Sequence, residues 1–425
     1  MTTALIAAAL LALAPPADDP WIEGKLPGLL DLYKHLHAHP ELSLREVETA
    51  RRIGQELAQA GCEVTEGVGK TGVVGLLRNG KGPTVLVRTD LDALPVTEAT
   101  GLPYASIVTA QDDAGKSVGV MHACGHDIHM TSFVGTARWL ADHKGRWSGT
   151  VMFVGQPAEE RVAGARAMLQ DGLYERFGKP DYALALHVTH DLEAGKVGYR
   201  GGPAMAGSTS MDVLVKGKGG HGAMPHNTVD PVVLASLLVL DLQTIVSREV
   251  PPIDPAVVTV GSIHGGTKHN IVPDDVRLQL TLRAFRPEVR EQLIEGIRRR
   301  AQSLAQAHRA PAPEFALGDT TPPTINTPAL VAKVVPALEA ALGADQVVEV
   351  EMTMGAEDFG LFGQGGVPTF MYRLGTIPPA RIRAAKDGGG PLPSLHSALY
   401  APDPEPSIRA GVRSMTSAVL SLLPK

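Results

Sequence analysis

A chain of 425 residues is too long for one ordinary hydrophobic core and implies two or three domains. With 44% hydrophobic residues, 20% charged residues and a net charge of −6, it reads as globular and offers nucleic acid no basic footprint. Two cysteines, Cys62 and Cys124, exclude a disulfide framework and leave at most one bridge.

The chain opens on MTTALIAAALLALAPPADDP, in which LIAAALLALA has the length of a signal-peptide apolar region but no preceding Lys or Arg. Residues 1–19 are therefore expected to direct export, making the protein periplasmic or secreted. The alternative is a cytoplasmic protein with an N-terminal extension. No later segment is expected to be long and apolar enough to cross a membrane or to insert in it stably. A helix follows over LPGLLDLYKHLHAHP, and Ser43 and Glu46 form an S-x-x-E capping box ahead of REVETARRIGQELAQAG. Apolar runs (TGVVGLLRNG, TVLVRTD, TVMFVGQ, DYALALHV) then alternate with the helical stretches DIHMTSFVGTARWLADH and AGARAMLQDG. That alternation predicts an α/β domain, an open mixed sheet with helices on both faces.

After Gly201 the pattern changes to strand SMDVLVKG, a helix capped by Asp230 with Pro231 at its first position, strands AVVTVGSIHGG and DVRLQLTLRAF, helix PEVREQLIEGIRRRAQSLAQAH and strand APEFALGD. The order β-α-β-β-α-β predicts an inserted ferredoxin-like α+β domain over 205–311, between catalytic-domain segments 20–204 and 312–425.

In an open α/β sheet the ligand crevice lies at the carboxyl ends of the strands. Here those ends carry Asp90 and Asp92, Glu159 and Glu160, and His187, in a chain that also contains MHACGHDIHM, residues 121–130. Three readings of that stretch stand: a metal site, a nucleophilic cysteine with a histidine base, or a structural cluster beside a helix start. Cys124 and His126 would face apart on a helix but converge on a loop through Gly125, and with a carboxylate and a distant histidine they suit Zn²⁺ or Mn²⁺. The nucleophile reading leaves the acidic pairs unexplained. Beside a metal, one glutamate of an adjacent pair ligates while its neighbour takes a proton from water.

HAHPELSLREVET, RTDLDALPV, MHACGHDIHM, GQPAEE, LALHV, GKGGHGAMPH, GGTKHNIVPDDVRLQLTLRAF, MGAEDF and LHS occur in one order over almost the whole chain. Together they resemble the amidohydrolase branch of the aminoacylase and carboxypeptidase metallopeptidases, which includes hippurate hydrolases and indole-acetyl–amino acid hydrolases. The resemblance implies two divalent ions per subunit (Mn²⁺ or Zn²⁺) held by Cys124, His126, Glu160, His187 and His396, with Cys124 placed to contact both. It implies that Glu159 is the general base, Asp92 the carboxylate behind the ligands, and Asp90 a residue of the surrounding layer. Asp127 and His129 would cap the next helix, and His35, His37 and His39 would be structural. His221 would stabilise the oxyanion, Asn270 and Arg283 would hold the substrate amide and carboxylate, and Glu357 would wall the pocket. The inserted domain would act as lid and dimerisation surface.

The expected activity is hydrolysis of N-acyl or N-aroyl amino acids by a homodimer. The alternatives are a carboxypeptidase or dipeptidase on the same fold and, more remotely, a non-catalytic metal-dependent binder. The pattern departs from the family's at His269, where an aromatic is common, at LHSALYAPD, and in the longer approach ARIRAAKDGGGPLPSLHS. These departures touch substrate details rather than the metal chemistry.

Overall fold

The computed structural model describes residues 19–425. The chain divides into two compact units: one runs through Gly202 and resumes over Ile325–Glu351 and Asp358–Lys425, and the other comprises Pro203–Thr324 with Met352–Glu357. In chain order the longer helices are α1 (Pro20–Ala38), α2 (Val47–Gln59) and α3 (His126–Asp142) in the first unit, and α4 (Pro231–Arg248) and α5 (Pro287–Ala307) in the second. Two more, α6 (Pro328–Leu342) and α7 (Pro404–Leu422), lie back in the first. The first unit's main strands are β1 (Glu63–Val68), β2 (Gly72–Asn79), β3 (Thr84–Asp90), β4 (Gly149–Gln156), β5 (Tyr182–Glu193) and β6 (Val197–Tyr199). The second unit holds β7 (Gly207–Lys216), β8 (Ala256–His264), β9 (Asp275–Ala284) and β10 (Glu314–Thr321), and the first then adds β11 (Val347–Glu349) and β12 (Thr369–Ile377).

The first unit is built on an eight-stranded sheet in the order β1-β2-β4-β3-β5-β12-β6-β11. Its centre, β4-β3-β5-β12, is parallel, whereas β1, β2 and β4 pair antiparallel. The central strands read as unbroken apolar runs because both faces are covered. On one face Val87, Phe153, Leu184 and Tyr372 join a core with Leu29, Phe133, Trp139 and Val412 from the helices. On the other, Leu86, Met152 and Ala185 are equally buried, and the short helix Gly164–Gln170 and the turns at Phe359–Gly366 pack there. This is the open mixed sheet that the alternating runs predicted. The register sets Asp90 beside Gln156 and His187 beside Arg373, so the carboxyl ends of adjacent parallel strands converge.

Two local expectations need correction. The capping box does not form: Leu44 turns the chain with φ 65°, and α2 starts only at Val47 with no side-chain cap. Ser43 Oγ instead donates to Asp92 (2.6 Å), and the Glu46 carboxylate accepts the N–H groups of Leu44 and Ala158 (both 2.8 Å). The expected export signal falls outside the described residues up to residue 18. Asp19, counted with that signal, belongs to the folded unit. It caps α1 by accepting the Trp21 N–H (2.9 Å) and also accepts the buried Trp139 indole N–H (2.8 Å).

The second unit is a β-α-β-β-α-β sandwich with an antiparallel sheet ordered β8-β9-β7-β10, the ferredoxin-like arrangement. Its core joins Met211, Leu278 and Leu280 of the sheet to Leu234, Leu242, Leu293 and Ile297 of the helices. Because β10 pairs with β7, Met211 opposite Leu317, the unit extends beyond residue 311 to Thr324. Asp230 caps α4 as expected, accepting from Val232 N (2.8 Å). Contrary to expectation, α4 is long and apolar enough, by length and composition, to cross a membrane. The reason is that both its faces are apolar: Leu234, Leu238 and Ile245 line the core, while Val233 and Leu240 are exposed.

Candidate metal centre

Cys124 sits on the loop entering α3, and His126 is the first residue of that helix. Between them Gly125 takes φ 71°, and a Cβ there would lie 2.7 Å from Val188, so only glycine lets the two side chains converge. Glu159 and Glu160 follow β4, and His187 lies on β5. His396 arrives from a distant loop with φ 67°, its N–H donating to the carbonyl of Ala123 (2.9 Å) and tying it to the cysteine loop. The structure therefore brings Asp90, Asp92, Cys124, His126, Glu159, Glu160, His187 and His396 together.

Main-chain hydrogen bonds set the histidine tautomers. His126 Nδ1 donates to the carbonyl of Asp92 and His187 Nδ1 to that of Val188 (both 2.7 Å), leaving each Nε2 a lone pair. His187 Nε2 lies 3.7 Å from Cys124 Sγ. His126 Nε2 lies 3.7 Å from oxygens of Asp90, Glu159 and Glu160, and His396 Nε2 lies 3.5 Å from Glu160. Among the donor groups whose atoms lie within 4.8 Å of one another, two share Cys124: Cys124–His126–His187 and Cys124–Glu160–His396.

The electrostatics suit cations. Burial would lower the His126 imidazole, but the surrounding Asp90, Asp92 and Glu160 raise it to about 10. A proton on Nε2 nevertheless finds no acceptor within hydrogen-bonding distance, and Glu160 Oε1 is likewise buried without a hydrogen-bond partner among the described residues. Burial, with the carboxylates of Asp92 and Asp90 adding to it, raises Glu160 to about 7 despite His126. Burial and the carboxylates of Glu160, Glu159 and Asp90 push the Cys124 thiol well above its ordinary range. Acids, a thiol and imidazole nitrogens facing one buried spot favour positive charge there. A mixed N/S/O donor set of this kind fits divalent transition-metal ions.

Neighbouring groups hold the donors. Asp92 accepts the main-chain N–H of Glu159 (3.1 Å) on one oxygen and that of Glu160 (3.0 Å) on the other. Asp90 is already engaged by Arg88 and by His129 Nδ1 (2.7 Å each). Burial would raise Asp90, but His126, His129 and Arg88 hold it well below the usual carboxylate range. His129 is not the helix cap expected of it: its Nε2 accepts the N–H of Val188 (2.8 Å), which braces β5 beside His187. Asp127 does not cap α3 either. The cap position is Gly125, and Asp127 accepts from its neighbour Ile128 N and from His37. Cys62 and Cys124 are both free thiols, so the one conceivable bridge is absent.

The remaining predicted residues lie in the second unit. His221 and Asn270 meet at a two-stranded ribbon, where Gly222 N donates to the Asn270 carbonyl (2.9 Å). His221 Nδ1 accepts the N–H of Ala223 (3.0 Å), so in the neutral ring the proton is on Nε2. Arg283 donates to the carbonyl of Met354 (2.7 Å). Glu357 is buried, its carbonyl accepting from Thr324 (3.3 Å).

Residues 86–387 match the peptidase family M20/M25/M40. The chain is 37% identical over 352 residues to the N-acetylcysteine deacetylase of Bacillus subtilis, covering 82% of this chain and 88% of that protein. It is 36% identical to thermostable carboxypeptidase 1 of Saccharolobus solfataricus, covering 82% of this chain and 86% of that protein. A dinuclear metal-binding peptidase of the M20 family from Bacillus subtilis superposes with a TM-score of 0.76 at 30% identity, covering 94% of this chain and 99% of that one. The chain belongs to the M20/M25/M40 peptidase family. It is an enzyme, a metal-dependent hydrolase of amide bonds.

Sequence reasoning missed His37, which it grouped with His35 and His39. His37 is buried on α1, with Nδ1 on Asp127 (2.7 Å) and Nε2 on Glu98 (3.1 Å). Burial opposes its charge, but the two carboxylates raise it to about 10. Because its folded value exceeds the unfolded value near 6.5, the stability it contributes is full below about pH 6.5 and is lost as pH rises towards about 10. Denaturant unfolding from pH 7 to pH 10 should therefore show a His37→Gln variant starting less stable than wild type, with the gap narrowing. Parallel curves would remove His37 from the account.

Proposed function

We propose that the enzyme hydrolyses N-acyl or N-aroyl amino acids, with Cys124, His126, Glu160, His187 and His396 holding two divalent ions, Mn²⁺ or Zn²⁺. The observation that carries this is the pair of donor triads sharing Cys124, with Glu159 alongside. When bound, such ions supply Lewis acidity and bring the pKa of water towards neutrality. Glu159 takes a proton from the water whose oxygen bonds to the acyl carbonyl carbon. It then delivers that proton to the amine nitrogen as the C–N bond breaks, releasing a carboxylic acid and a free amino acid. Asp92 keeps the Glu159 and Glu160 main chain in place. Within the second unit, His221 is the candidate donor to the developing oxyanion, Asn270 and Arg283 the candidates for the substrate's amide and carboxylate, and Glu357 the candidate pocket wall.

The likeness to an N-acetylcysteine deacetylase supports acyl–amino acid substrates, and the nearly equal likeness to a carboxypeptidase keeps peptide cleavage as the second reading. Glu159→Gln should retain its metal content and lose at least about 10³-fold in kcat on N-acetyl and N-benzoyl amino acids. Substantial residual turnover would refute the role of Glu159, and wild-type preference for dipeptides would favour the second reading.

We also propose a homodimer formed through the second unit. Leu240 (71% exposed) and Val233 (51%) project from α4, and β8 is an edge strand of its sheet. Sedimentation should find wild type dimeric and Leu240→Glu shifted to monomer. A monomeric wild type would contradict this.

A further inference from the structure

The loop after β4 is held by carboxylates that are not among the proposed metal-holding residues. Glu159 sits between residues of unusual backbone: Ala158 has φ 48° and Val162 φ 49°, a left-handed conformation that side chains with a Cβ rarely adopt. The carbonyl of Ala158 accepts from both Ala163 and Gly164 (3.2 Å each), and a Cβ on Gly164 would lie 1.5 Å from the Pro157 carbonyl oxygen. Three consecutive main-chain N–H groups, of Ala158, Glu159 and Glu160, then point at buried acids. Ala158 donates to Glu46, while Glu159 and Glu160 donate to the two oxygens of Asp92. Further along, Ala165 N donates to Asp358 (2.9 Å).

Glu46 is fully buried, yet no chemistry has been assigned to it. One of its oxygens accepts from Leu44 N and Ala158 N, the other from Thr71 Oγ (2.6 Å). Ser43, three residues earlier, donates to Asp92. The 43–46 turn thus reaches the loop twice, directly through Glu46 and indirectly through Asp92.

We propose that Glu46 is a positioning residue for Glu159: its acceptor oxygen fixes the left-handed Ala158 and so aims the adjacent side chain. This rests on the reading of Glu159 as the proton carrier. The required feature is an acceptor at that oxygen rather than negative charge. Glutamine can present its carbonyl to Leu44 and Ala158 and its amide N–H to Thr71 Oγ, aspartate falls one methylene short, and methionine fills the space without an acceptor.

The test compares Glu46→Gln, Glu46→Asp and Glu46→Met in the metal-loaded full-length enzyme, by kcat and KM on an N-acetyl amino acid and by amide hydrogen exchange across residues 156–163. Glu46→Gln should keep kcat within about threefold, Glu46→Asp should lose about tenfold and Glu46→Met about 100-fold, with KM little changed and metal content intact. Exchange at Ala158 should be wild-type in the Gln variant and at least about tenfold faster in the Asp and Met variants. Wild-type kcat in the Asp or Met variant, or unchanged exchange at residues 158–160, would overturn the proposal. A purely structural role would lower melting temperature while leaving kcat per metal-loaded molecule unchanged, which also overturns it. If the Met variant does not fold, the Asp and Gln pair decides. A wild-type enzyme inactive on every N-acyl amino acid would fail the functional reading alone, leaving the exchange data to judge the clamp.

Discussion

Four carboxylates and a thiol are buried together where adjacent parallel strands end, and the first unit is organised around compensating that charge. An isolated buried carboxylate would be far too costly to keep ionised, so each must have hydrogen-bond donors, a cation, or both. Asp90 has Arg88 and His129, and Asp92 has two main-chain N–H groups and Ser43. Glu160 and the Nε2 atoms of His126 and His187 face inward, and a metal ion is the compensation that suits this donor set.

The same constraint explains why the surroundings are closely hydrogen-bonded. A left-handed alanine beside the proposed base costs about 1–2 kcal/mol, and a hydrogen bond from its N–H contributes about 0.5–1.5 kcal/mol, so the Glu46 contact offsets most of that cost. Glycines occur where backbone must approach closely, as at Gly125 against Val188 and Gly164 against Pro157. His129 braces the strand that carries His187, and the His37–Asp127 contact ties α1 to the first turn of α3, next to His126. Such outer contacts orient donors and set which nitrogen faces the site.

Much of this could be read in the sequence. Unbroken apolar runs with acids at their ends indicated a covered, mostly parallel sheet with a site at its carboxyl edge, and the change to alternating strands after Gly201 marked the ferredoxin-like unit. The spacing of Cys124 and His126 suggested a loop rather than a helix, and the motif order supplied the distant partner His396. Local pattern misled where a tertiary contact outcompeted a local one. Ser43 and Glu46 carry a capping-box spacing, but Asp92 and Ala158 capture their side chains across long sequence separations. His129 looked like a helix cap because nothing in the sequence links it to Asp90, 39 positions away. The end of the second unit, set at residue 311 although APEFALGD was counted as its last strand, moves to Thr324 because β10 pairs with β7.

The central claim is that Cys124 is a shared ligand rather than a nucleophile or half of a disulfide. Anomalous diffraction from crystals of the metal-loaded enzyme tests it most directly. The account predicts two divalent ions, one among Cys124, His126 and His187 and the other among Cys124, Glu160 and His396, with the cysteine sulfur bound to both. A single ion, or two ions with Cys124 Sγ bound to neither, would contradict it.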